Sequence, residues 1–147
     1  PKPSSAASDV YKRQISRYVN SVVGIEGDKG LVERAKENAK VNDITNASFY
    51  KADLFEDVTG FEWFRGKTYN KALIDPARTG AIEIVELLPK LKVEKIVYVS
   101  CNPATLARDT AKLIDLGFSL ESAGVMDMFP QTAHVESIAL FVRKKQP

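Results

Sequence analysis

From residue 15 onward the chain alternates short β-branched runs with stretches of helical apolar spacing. Residues 21–26, Ser-Val-Val-Gly-Ile-Glu, stop at an acidic residue followed by Gly27, the pattern of a buried strand leading into a turn. Asp28 can cap a helix through about Asn42, with Leu31, Ala35 and Ala39 on one face and lysines and glutamates on the other. Residues 46–51 predict a second strand, ending at Ala52 and Asp53. The acidic, aromatic segment 54–66 predicts a loop with a short helix around residues 61–64. Residues 69–75 predict a third strand, stopped by Pro76 because proline has no amide to give the ladder. A helix over 81–88 and a fourth strand over 94–100 follow. Asn102 and Pro103 supply a cap and a first-turn proline for a helix over 104–116. Residues 118–126 and 134–143 read as two strands with no helix between them, which predicts an antiparallel couple. The sum is an α/β chain with a doubly wound, mostly parallel sheet and a late antiparallel strand.

Residues 1–14 break from this pattern. They are rich in Pro, Ser and Ala, hold no sustained apolar period and end in Lys-Arg-Gln, so they read as a tail, either a non-native junction or a disordered terminus. Their order and composition are wrong for a secretory signal. Composition narrows the class further. A chain of 147 residues with 44% hydrophobic and 27% charged residues fits one ordinary globular domain. Its 21 Lys+Arg against 19 Asp+Glu leave +2 without a polybasic arm, so any nucleic-acid contact has to come from local placement. Apolar runs such as residues 95–100 fall far short of the ~20 residues of a membrane-spanning helix, which predicts a soluble protein with no membrane partner. Cys101 is the single cysteine. That excludes an intramolecular disulfide and a zinc site built on several cysteines, and it suits a reducing cytoplasm.

Open α/β sheets bind ligands at the carboxyl ends of their strands. The polar residues ending the predicted strands are Glu26, Asp53, Asp75 and Cys101. A carboxylate closing a strand before a helix suits a ribose, because it accepts from both hydroxyls, and Glu26 fits that role; a solvated turn residue is the plain alternative. Asp53 is the matching candidate for the exocyclic amine of an adenine, with the same alternative. The chain holds no G-x-G-x-x-G phosphate loop, which disfavours a dinucleotide. Cys101 sits between a strand end and a helix capped by Asn102, beside amide donors and the positive end of the helix dipole, which stabilise negative charge. Against this stands the habit of free cysteines to act as small buried hydrophobes. Glu136 opens a strand otherwise filled by Ile138, Leu140 and Phe141, and His134 is expected on its face at period two. A carboxylate in that place can serve as a base, or simply be solvated.

Three blocks then carry a family resemblance: Ile-Asp-Pro-Ala-Arg at 74–78, Tyr-Val-Ser-Cys-Asn-Pro-Ala-Thr-Leu-Ala-Arg-Asp at 98–109, and Asp-Met-Phe-Pro-Gln-Thr-Ala-His-Val-Glu-Ser at 127–137. Together they resemble the signature blocks of the RNA uracil-C5 methyltransferases, over about residues 15–142. Their wording is more similar to the bacterial 23S ribosomal RNA enzymes than to the transfer RNA enzyme. The resemblance implies a Rossmann-like class I methyltransferase fold, S-adenosyl-L-methionine as cofactor and RNA as partner, with rRNA favoured over tRNA. It assigns Cys101 as the nucleophile that adds to carbon 6 of uracil and Glu136 as the base that removes the carbon 5 proton. It further implies that Glu26 holds the cofactor ribose, Asp53 contacts the adenine region, and Asp75 lies between cofactor and target base. Arg78, Arg108 and His134 join Asp75 as substrate-binding candidates, the arginines as phosphate contacts for a flipped nucleotide. No metal is implied.

Family members carry a first strand and a glycine-containing cofactor loop upstream of residues 21–26, where this chain has its odd tail. Residues 15–147 are therefore expected to form the C-terminal part of a methyltransferase domain, truncated at its N-terminal strand. Two other readings stand beside this one. A cysteine hydrolase would use Cys101, His134 and Glu136, although no Gly-flanked nucleophile elbow surrounds the cysteine. An inactive, RNA-binding remnant is the non-enzymatic reading.

Overall fold

The computed structural model describes residues 14–127 and 130–144, so the predicted tail lies outside the described residues except for Gln14. The chain divides after Arg65 into two units. Each has its own sheet.

The first unit is built on strands β1 (Val22–Glu26) and β2 (Ala47–Lys51), joined by helix α1 (Lys29–Val41). The strands pair in parallel from Val22↔Ala47 to Glu26↔Lys51, as a helical crossover requires. Asp28 caps α1, its Oδ1 accepting from Leu31 N–H at 3.0 Å. The buried face is Val32, Ala35 and Ala39, packed with Phe49 of β2. It lies one position on from the expected Leu31, because Val32 shares the i, i+3, i+7 stripe with Ala35 and Ala39. The helix ends in a Schellman turn: Asp43 takes a φ of 53°, Asp43 N–H donates to Lys40 O, and Ile44 N–H reaches back to Ala39 O at 2.9 Å. Residues 61–64 form hydrogen-bonded turns instead of the expected short helix. Phe64 and Arg65 amides both close on Phe61 O while Trp63 and Phe64 turn inward and pack edge to face.

The second unit holds β3 (Lys71–Ile74), α2 (Ile82–Leu87), β4 (Lys95–Ser100), α3 (Pro103–Asp115), β5 (Phe118–Met126) and β6 (Glu136–Arg143). Its sheet runs in the order β3-β4-β6-β5. β3 and β4 are parallel, and β6 runs antiparallel to both β4 and β5, so β6 is the late antiparallel strand. The expected β5–β6 couple forms, with β6 inserted next to β4. Side chains at Ile96, Tyr98 and Ser100 are buried in alternation along β4, and Ile96 pairs with Phe141 and Tyr98 with Ala139 across the ladder. Val85, Leu113 and Phe118 complete this core. Asn102 caps α3 through Ala104 N–H, donated to its Oδ1 at 3.0 Å, and Pro103 takes the first turn.

β6 begins at Glu136, two residues later than predicted, and this removes His134 from the strand. The predicted third strand is likewise shorter, since Tyr69 N–H is committed to Leu91 O and Asn70 O accepts from Glu94 and Lys95.

Candidate functional site

In the first unit, Glu26 closes β1 and Asp53 follows β2 by two residues, so both carboxylates stand at the carboxyl end of one parallel pair. Ala52 N–H donates to Glu26 O at 3.1 Å and continues the ladder to that edge. Local backbone fixes one oxygen of each carboxylate: Glu26 Oε1 accepts from Asp28 N–H at 3.2 Å, and Asp53 Oδ1 accepts from Phe55 N–H at 3.0 Å. Gly27 lies beside them without a side chain, and a Cβ there would meet nothing nearer than Ala52 O at 3.9 Å.

In the second unit, Asp75 leaves β3, Cys101 leaves β4 and Glu136 enters β6, which brings all three to one end of the sheet. Parallel β3 and β4 deliver their carboxyl ends there, and antiparallel β6 delivers its amino end. The β4–β6 register closes with Ser100↔Ser137, which leaves Cys101 and Glu136 as the residues immediately beyond that pair. Cys101 and Glu136 are half-buried, while Asp75 and Arg78 are exposed. The bend after β4 is fixed by Ser100, buried to 3% exposure, whose Oγ accepts from Asn102 N–H at 3.1 Å and donates to Asn102 O at 2.9 Å.

His134 does not share a face with Glu136. It is exposed in the segment before β6, with its amide donated to Thr132 Oγ1 at 3.3 Å, because the polar run Gln131-Thr132-Ala133-His134 delays pairing until Glu136 meets Met126. Arg108 turns toward its own helix. Its Nε donates to Asp109 Oδ1 at 2.8 Å and its Nη2 to Thr79 O at 2.9 Å, on a side chain 48% exposed.

Asp109 was not singled out as a site residue, yet it is the one acidic residue with no exposure among those described. Its Oδ2 accepts from Ala81 N–H at 2.7 Å and from Tyr98 Oη at 2.5 Å. Burial, then the Asp109 hydrogen bond and charge, raise the Tyr98 phenol well above its usual range. The signal was present in the sequence: Asp109 falls on the apolar stripe of α3 between Leu106 and Leu113.

Among the described residues, no group of three or more His, Cys, Asp and Glu is placed to hold a metal ion, and no helix is long and apolar enough to cross a membrane.

The family model described as tRNA (Uracil-5-)-methyltransferase matches residues 10–145. A 23S rRNA (uracil(1939)-C(5))-methyltransferase RlmD of Vesicomyosocius okutanii is 75% identical over 130 residues, which are 88% of this chain and 30% of that protein. The protein of the same name from Alcanivorax borkumensis is 54% identical over 131 residues, 89% of this chain and 29% of its own length. The chain thus spans about 30% of the length of these curated relatives. Among solved structures, M. jannaschii TYW2 in complex with AdoMet aligns with a TM-score of 0.62 at 14% identity, covering 86% of this chain and 60% of that one. A ribosomal protein L11 methylase of Lactobacillus delbrueckii aligns with a TM-score of 0.63 at 15% identity, over 96% and 66%. At such identities the likeness shows the fold, a Rossmann-like α/β methyltransferase fold with a mixed sheet.

Proposed function

The chain belongs to the tRNA (uracil-5-)-methyltransferase family, and on that premise we propose that it carries the nucleophile and base of an enzyme that methylates carbon 5 of a uridine in 23S rRNA. The observation that carries this reading is the register of β4 on β6, which ends at Ser100↔Ser137, so that Cys101 and Glu136 are the residues that follow and precede that pair at one end of the sheet. Residues 15–147 are read as the C-terminal part of the methyltransferase domain, acting in the cytoplasm.

Carbon 5 of uracil is a weak nucleophile. Cys101 Sγ adds to carbon 6, forming the S–C6 bond and pushing the ring electrons toward O4, so that carbon 5 gains enolate character. S-adenosyl-L-methionine, when bound, supplies the methyl group that carbon 5 takes up. Glu136 then removes the proton left on carbon 5, the C5=C6 double bond reforms, and Cys101 leaves as thiolate. A thiol and a base on facing strands can reach carbons 6 and 5 of one ring in turn, because these are adjacent atoms.

The first unit's donor set fits the cofactor. Glu26 and Asp53 are carboxylates suited to ribose hydroxyls and to an adenine amine, and Gly27 leaves space beside them. Asp75 and the exposed Arg78 flank the nucleophile's sheet end as contacts for the base and a phosphate, and Arg108 and His134 extend the same role outward. A flipped uridine is required, since a strand-end thiol cannot reach carbon 6 inside a stacked helix. The hydrolase alternative has no support, because its base, His134, lies in the segment before β6 and the chain belongs to a methyltransferase family. Methyl transfer to 23S rRNA fragments by the full-length enzyme, lost in Cys101→Ala, tests this reading.

A further inference from the structure

The Asp-Pro-Ala-Arg segment after β3 leads through a turn closed by Gly80 N–H on Ala77 O at 3.0 Å to α2, whose N-cap Ala81 makes no side-chain cap bond, and Asp75 and Arg78 are exposed. Its grip comes from α3. Arg78 O accepts from Asn102 Nδ2 at 3.1 Å and from Thr105 Oγ1 at 3.1 Å. Thr79 O accepts from Arg108 Nη2, and Ala81 N–H donates to Asp109 Oδ2. Peptide groups at 78, 79 and 81 are thus held by the first two turns of the helix that follows Cys101. Gly80 completes the fit. Its φ is +84°, and a Cβ would come within 2.5 Å of Arg108 Nη2 and 2.7 Å of Asp109 Oδ2, so the turn is pressed against the network and only glycine is accommodated.

Asp109 joins the pieces. It binds the turn through Ala81, strand β4 through Tyr98, three residues before Cys101, and its own helix through Arg108. A buried carboxylate is costly, and an apolar replacement is often as stable, so such a network is poor grounds for a purely stabilising role and better explained by the arrangement it specifies. We propose that Asp109 is a positioning residue that locks the Arg78–Ala81 turn to the nucleophile-bearing end of β4 and α3, so that Asp75 and Arg78 present the target uridine to Cys101 in one geometry. This rests on the assignment of Cys101 as nucleophile.

The test uses the full-length enzyme and two variants: Asp109→Asn, which turns one acceptor into a donor facing either Ala81 N–H and Tyr98 Oη together or the Arg108 guanidinium, and Thr105→Val, which keeps shape and the buried carboxylate while removing one of the two donors to Arg78 O. Two rates are read on Cys101: alkylation by iodoacetamide, and formation, with cofactor present, of a denaturation-resistant adduct with a 23S rRNA fragment carrying 5-fluorouridine, whose carbon 5 has no proton to lose, so that the adduct is trapped. Displacement of a bound substrate by about 1 Å can cost about 100-fold in rate. Adduct formation is expected to fall about tenfold or more in Asp109→Asn and about threefold or more in Thr105→Val, with alkylation within about twofold of wild type in both. If Asp109→Asn does not fold, Tyr98→Phe, which removes the bond from Asp109 to β4, is read in its place with the same expectation. Adduct rates unchanged in a folded variant, or falling only in step with alkylation, would overturn the positioning role. If wild type itself forms no adduct and Cys101→Ala still methylates, it is the nucleophile assignment that fails, and the positioning role goes with it.

Discussion

Ser100 pairs with Ser137 at the end of the β4–β6 ladder, and Cys101 and Glu136 are the residues next to that pair on the two strands' ends. That relationship is pinned from within the sheet. Ile96 pairs with Phe141 and Tyr98 with Ala139, all four buried, and a slip by one residue would turn these side chains to the opposite face. Core packing therefore sets which carboxylate arrives at the thiol's end of the sheet.

Glu136 is assigned a task after methyl transfer, so its loss is expected to stall the reaction late. In the full-length enzyme, Glu136→Gln should still form the Cys101–RNA bond and methylate, then accumulate a denaturation-resistant adduct with ordinary RNA, visible as a shifted band on a denaturing gel. Normal turnover with no adduct would identify another group as the base.

Glu26 is expected to act on cofactor affinity alone. Removing a charged hydrogen-bond acceptor costs about 1.5–3 kcal/mol, so Glu26→Ala should weaken S-adenosyl-L-methionine binding about tenfold or more by calorimetry. An unchanged Kd would detach Glu26 from the cofactor.

The Tyr98 phenol is raised by burial and by Asp109, so the folded state favours its neutral form. The unfolded phenol ionises near its ordinary value of 10.0 while the folded one resists. Its contribution to stability is therefore complete below about pH 10 and is lost as pH rises above it. Urea midpoints measured from pH 8 to 11 should fall more steeply above pH 10 in wild type than in Tyr98→Phe. Parallel curves would contradict this.

Asn102 serves two elements at once, capping α3 and holding Arg78 O. Asn102→Ala should lower stability by about 1–2 kcal/mol, the ordinary cost of a lost cap, in chemical denaturation. Asn102→Asp, which keeps the cap and loses the donor to Arg78, should recover most of that stability. Equal losses in both would show that the Arg78 contact, not the cap, dominates.

Much of this was legible from pattern. Asp28 and Asn102 announced their caps, and the strand-end tally of Glu26, Asp53, Asp75 and Cys101 followed from β-branched runs meeting polar residues. What escaped depends on tertiary pairing. β6 starts at Glu136 because that is where β5 offers a partner, Met126, so a period-two extrapolation to His134 overran the ladder. Residues 61–64 became turns because Trp63 and Phe64 are buried together, a packing outcome that local spacing does not encode. Asp109 was passed over because a lone aspartate on an apolar stripe acquires meaning only when Tyr98 and Ala81, distant in sequence, arrive as donors.

The most direct measurement is methyl transfer from labelled S-adenosyl-L-methionine to a 23S rRNA fragment by the full-length enzyme, wild type against Cys101→Ala, with cofactor binding measured on the same samples. Cys101 is the only thiol in this chain, and it is assigned to attack the RNA and not the cofactor. Cys101→Ala is expected to abolish 5-methyluridine formation while binding S-adenosyl-L-methionine within about twofold of wild type, since no cofactor contact is lost. Retained formation of 5-methyluridine by that variant would contradict the nucleophile assignment and the mechanism built on it.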